Sequence, residues 1–113
     1  MNIIRVVPNN GVVDLLGDPI QDGEGKPVQL SFFIKVVLRN VKVIEDLLTH
    51  GVRIAAALQA PMSFAQISLL KEDHEWLLAE VKRSSPWTSA MPAEAFNRAM
   101  GEFTEKVDGE ETA

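Results

Sequence analysis

Ile3-Ile4-Arg5-Val6-Val7-Pro8-Asn9-Asn10-Gly11-Val12-Val13-Asp14-Leu15-Leu16 is the stretch whose reading decides the class of fold. Its first arm is β-branched, which suits a pleated surface. Pro8-Asn9-Asn10-Gly11 is turn chemistry, because Asn and Gly tolerate positive φ. Val12, Val13, Leu15 and Leu16 then offer a return arm, so a β-hairpin is predicted over residues 2–16. Both arms are apolar on both faces, as in strands covered on two sides. The cover comes either from the chain's own helices or from another subunit whose sheet the arm extends.

Gly17-Asp18-Pro19 breaks the second arm. Asp22-Gly23-Glu24-Gly25-Lys26 then reads as a tight loop between Ile20-Gln21 and Pro27-Val28-Gln29-Leu30. It is no phosphate cradle, because that loop needs Gly-Lys-Ser/Thr opening a helix, and here Pro27 follows Lys26. No internal repeat is read.

Beyond residue 30 the period changes. Ser31 suits a helix cap, and a helix is predicted over 31–39, with helix and strand both open for residues 34–44. Ile44, Leu47, Leu48, Gly51, Ile54, Ala55 and Leu58 form one stripe at helical spacing, ended by Pro61. Gly51 on that stripe points to the close approach of a second helix. A short extended stretch at 66–69 leads to a helix over 70–84. Acidic Glu72 and Asp73 stand in its first turn, and basic Lys82 and Arg83 in its last. Pro92 opens a final helix with Ala95, Phe96, Ala99, Met100 and Phe103 on one face. The expected class is α+β: an N-terminal β-hairpin packed with three to four helices, the C-terminal two-thirds helix-rich. Residues 1–104 form a single domain. Residues 105–113, with almost nothing to bury, are expected to be a disordered acidic tail.

The chain of 113 residues has no cysteine, which removes disulfides and thiolate chemistry. Its 11 Lys and Arg against 16 Asp and Glu argue against direct nucleic-acid binding, which needs clustered cations. No apolar run approaches the ~20 residues of a membrane span. No basic lead into an apolar stretch suggests a signal peptide. The two histidines stand apart. Glu72-Asp73-His74-Glu75 lacks the second His of a zincin helix, since position 78 is Leu. It reads as a solvated helix start, with His74 partly covered. His50 has Asp46 one turn away, a weak surface pair. The serines lack a nucleophile-elbow context. No catalytic residue, metal ligand or cofactor site is therefore expected, and the chain is read as not an enzyme.

Protein partners are the remaining expectation. Trp87, in the polar connector Ser85-Pro86-Trp87-Thr88, suits an interface anchor. Met91 and Met100 have adaptable side chains. Ile3, Ile4, Val6 and Val12 on the opening arms complete the set of candidate contacts.

The segment Asp22-Gly23-Glu24-Gly25-Lys26-Pro27-Val28-Gln29-Leu30 opening a helix resembles a group of small phage-encoded proteins, mostly of unassigned role. Ile67-Ser68-Leu69 leading into the acidic helix up to Lys82, and Ser85-Pro86-Trp87 leading to Phe96, are similar to the group's middle and end. The resemblance covers about residues 18–100 in order. The apolar opening, residues 3–16, departs from it. It implies a viral or prophage setting, hence the virion or the host cytoplasm, and carries over no functional residue. The expected role is a phage-type structural or assembly protein acting in several copies through contacts with itself or other virion proteins. The alternative is a small acidic module that masks a basic partner.

Overall fold

A computed structural model describes residues 2–107 of the chain. In order these form β1 (Ile3–Pro8), α1 (Leu30–Arg39), α2 (residues 44–58), β2 (Gln66–Leu70), α3 (Lys71–Ser84), α4 (Ala90–Met100) and β3 (Thr104–Val107). The class is α+β, with a three-stranded antiparallel sheet in the order β2-β1-β3.

The expected hairpin does not form. β1 is the central strand, pairing Val7 with Ile67 and Ile4 with Leu70 on one side, and Ile3 with Val107 and Arg5 with Glu105 on the other. Asn9 explains why the chain does not turn back. Its side chain is buried; its Nδ2 donates to Ser63 O at 2.8 Å and its Oδ1 accepts from Ser31 N at 2.9 Å. The residue predicted to start a turn instead caps α1, so Ser31 is capped rather than capping. The tail also starts later than expected, because Thr104–Val107 is a strand. The remainder of that expectation, 108–113, lies outside the described residues.

Directly opposed residues share a sheet face. Val7, Ile67 and Leu69 lie on the inner face and are buried. Ile4, Val6 and Leu70 lie on the other face and are half-buried. Among the described residues the sheet is thus covered on one side, not two.

Residues 12–28 hold the internal repeat that was not expected. Val12-Val13-Asp14-Leu15-Leu16-Gly17-Asp18-Pro19 and Ile20-Gln21-Asp22-Gly23-Glu24-Gly25-Lys26-Pro27 share a β-branched residue, Asp, Gly and Pro at the same places. In the first unit Asp14 Oδ1 accepts from Leu16 N at 2.9 Å and Asp18 N at 3.0 Å; in the second Asp22 Oδ1 accepts from Glu24 N at 2.8 Å and Lys26 N at 3.0 Å. Gly17 and Gly25 take φ of +88° and +80°, where a side chain is strained. The units close on each other in a ring: Ile20 N donates to Val12 O, Val28 N to Ile20 O, and Val12 N to Val28 O, at 2.8–2.9 Å. Val12 is consequently buried.

The core lies between the inner sheet face, α1, α3, α4 and the C-terminal half of α2, which contributes Ile54. α1 follows the ordinary helical period: Leu30, Phe33, Ile34 and Val37 are all buried. They meet Leu77 and Val81 of α3, and Phe96 and Met100 of α4, within one cluster. Residues 34–39, left open in the sequence, are therefore helix.

Candidate interaction surface

α2 departs from the ordinary period, and the candidate surface follows from that departure. Its segments are Ile44–Asp46, a π-helical turn Leu47–Gly51, and Val52–Leu58. Val52 N reaches back to Leu47 O, one residue further than in an α-helix. The wider turn rotates less per residue, so positions four apart stay nearly aligned. The predicted stripe splits. Gly51 and Ile54 are buried, while Ile44, Leu48 and Val52 are 70%, 64% and 57% exposed in one column. Gly51 belongs to this geometry: a Cβ there would lie 2.6 Å from Leu47 Cδ1 and 3.7 Å from Leu38 Cδ2. The close neighbours are a side chain of its own helix and one of α1.

The inward column, Asp46 and His50, meets α3 through charge. His50 Nδ1 donates to Asp73 Oδ1 at 2.7 Å, and Arg53 donates to both oxygens of the same carboxylate at 2.6 and 2.9 Å. Arg53 also reaches Glu72 at 3.3 Å, and Arg83 joins Glu80 at 3.0 Å to Asp46 at 3.9 Å. The hydrogen bond to Asp73, with the charges of Asp73 and Glu72, raises the Arg53 pKa against the opposing effect of burial. His50 stacks on Trp76, ring centroids 5.0 Å apart. The Trp76 Nε1 is buried with no hydrogen-bond partner among the described residues. His50 is thus oriented by Asp73 from another helix, not by Asp46. An Asp–His pair can fix an imidazole as a base. Here the carboxylate is shared with a bidentate guanidinium, and the group joins α2 to α3.

His74 serves a second junction and is fully buried, not a partly covered surface residue. Its neighbour Asp73 is buried as well, so only Glu72 and Glu75 of that cluster are solvated. The Met100 carbonyl can only accept, so His74 Nε2 donates to it at 2.7 Å, and Nδ1 accepts from Arg5 Nη1 at 3.0 Å. Arg5 also pairs with Glu105 at 2.9 Å and lies 4.4 Å over the Phe103 ring. Burial lowers the His74 pKa, and Arg5 adds to this; the Met100 carbonyl, Glu75 and Glu105 oppose it.

The predicted contact residues scatter. Met100 and Val12 are core and lie out of a partner's reach. Trp87 is half-buried, tilted against Phe33 and Phe96 at 5.3 and 5.8 Å between centroids. Ile4 and Val6 sit together on the open sheet face. Ile3 is exposed at the end of β1, and Met91 is exposed on α4. The structure adds exposed apolar residues that were not expected: the α2 column, Leu15 and Leu16, 63% and 73% exposed at the tip of the first repeat unit, and Met62 and Phe64, 56% and 70% exposed between α2 and β2. The four-residue spacing of Ile44, Leu48 and Val52 is the sequence signal for the first of these.

Among the described residues no group of three or more His, Asp or Glu is placed to hold a metal ion, and no helix is long and apolar enough to cross a membrane. No protein-family model, curated protein or solved structure matches the chain.

Proposed function

We propose that this chain is a structural or assembly subunit of phage type that works in several copies through protein–protein contacts. The observation that carries the reading is the column Ile44, Leu48 and Val52, exposed at four-residue spacing on one face of α2. Single exposed apolar residues are ordinary, whereas contiguous ones mark places that another surface covers. The half-buried Ile4, Val6 and Leu70 of the open sheet face add a second such area. The phage setting, and with it the virion or host cytoplasm, is supported by the order of elements between residues 18 and 100.

The acidic-mimic alternative has less support. Asp46, Glu72, Asp73, Glu75, Glu80 and Glu105 are paired with Arg5, Arg53 or Arg83 of the same chain. Part of their charge is thus answered internally, since each carboxylate shares one of three arginines. Light scattering on the eluting peak of a size-exclusion column tests the proposal across a range of loadings. The expected result is a mass that is a multiple of one chain. The mass of a single chain at every loading, with no virion protein retained when mixed, contradicts it.

A further inference from the structure

We propose that α2 is the surface through which two copies of this chain pair, with their α2 helices antiparallel about a twofold axis beside Thr49. The inference rests on the multi-copy reading and names the face, the partner and the geometry. Its occupant is a second copy because the face is its own complement.

Two columns lie side by side on the exposed part of α2. One is apolar: Ile44, Leu48, Val52 and then Ala56. The other is Glu45, Thr49 and Arg53, all exposed. The π turn places both on the four-residue spacing. A twofold interface brings one patch against itself, so the patch must match its own reversed image. Reversal about an axis at a height between Leu48 and Thr49 brings Ile44 against Val52 of the partner subunit and Leu48 against Leu48 of the partner subunit, to within about one residue's rise of ~1.5 Å. It also sets Glu45 against Arg53 of the partner subunit, and the same pair recurs on the other side of the axis. A parallel pairing, with its twofold axis along the helices, would set the charged column of each copy against the apolar column of the other and leave the charges without partners.

The charges on this face are free for that use. Glu45 makes no ion pair among the described residues. Arg53 uses Nε and Nη2 on Asp73 and Glu72, and its Nη1 has no partner among the described residues. The Arg53 side chain is 41% exposed. Its guanidinium is therefore fixed from below by Asp73 and open above, a preorganised donor for a carboxylate.

The absence of cysteine makes the test clean. Thr49→Cys places a single thiol beside the proposed axis, and Leu16→Cys places one at the tip of the first repeat unit as a control. Both purified proteins are oxidised and treated with a short bis-maleimide, and native mass is recorded in parallel. The expected result is a covalent dimer for Thr49→Cys and little for Leu16→Cys. Adding Leu48→Asp or Glu45→Arg to Thr49→Cys buries or opposes like charge and should reduce the dimer by about tenfold or more. Both positions are exposed, and circular dichroism verifies that each variant is folded. A native oligomer without the Thr49→Cys dimer, or with one that Leu48→Asp leaves unchanged, overturns the pairing and leaves the multi-copy reading standing. A single-chain mass together with no dimer overturns both.

Discussion

α1 and α2 are both apolar helices, and they treat their apolar side chains in opposite ways. α1 keeps the 3.6-residue period and turns Phe33, Ile34 and Val37 into the core. α2 contains a π turn, so Ile44, Leu48 and Val52 stay in water while Asp46 and His50 face α3. One helix is fastened by area alone, the other by the fully buried Ile54 together with ion pairs and a stacked ring. The difference teaches that apolar content alone does not state which side of a helix is inside. One extra residue in one turn is enough to redirect half a stripe.

The sharpest way to break this comparison is to truncate each helix in turn. Ile34→Ala removes a fully buried side chain and should cost about 3 kcal/mol in a urea titration, from lost transfer energy plus the cavity. A cost within the noise would mean that α1 is not packed as described. Next in size is the seam of α2 and α3. Arg53→Ala leaves Asp73 buried with His50 as its remaining partner. Breaking a buried pair costs about 3–5 kcal/mol, and the half-exposed Arg53 reduces this to about 2. Unchanged stability would show that charge does not hold these helices together.

A third effect depends on pH. The folded His74 pKa lies below its usual 6.5, chiefly through burial. Between the two values the unfolded chain binds a proton that the folded chain does not. Stability should therefore be full above about pH 6.5 and fall as pH drops from there toward the folded value. Protonation would place a second cation against Arg5, with Glu75 and Glu105 nearby and the Met100 carbonyl still accepting. Urea midpoints measured from about pH 7.5 down to about 5 should decline for the natural chain, and less steeply for His74→Gln. Equal slopes would remove His74 as the cause. The smallest effect belongs to Leu48→Ala, which should change the stability of the single chain by under about 0.5 kcal/mol, because its side chain is already in water. A loss of the size found for Ile34→Ala would place Leu48 in a core and erase the contrast.

Two helices, α3 and α4, were legible from spacing alone, because they carry regular apolar periods for which local pattern suffices. α1 was expected over 31–39, but its β-branched residues from 34 onward left strand open, and its packing against α3 and α4 decides for helix. The sheet was less legible. Thr104-Glu105-Lys106-Val107 is polar enough to resemble a tail, and it is a strand because β1 offers it an edge. The partners of β1 come from distant chain, which no local signal reports. The eight-residue units at 12–19 and 20–27 were written plainly in the sequence, through Asp14 and Asp22, Gly17 and Gly25, Pro19 and Pro27. The α2 face was half legible. Ile44, Leu48 and Gly51 stood out as a stripe, but a 3.6-residue wheel points them all inward. The His50–Asp73 pair joins two helices, so neither segment announces it by itself.

Side-chain footprinting by a photo-generated carbene, run from dilute to concentrated protein, tests the role of α2 most directly. At low concentration Ile44, Leu48 and Val52 should label heavily and Ile34 hardly at all; at high concentration labelling of the three should fall while Leu15 and Leu16 continue to label. Labelling of Ile44, Leu48 and Val52 that is weak at every concentration, or strong at every concentration, would contradict the account.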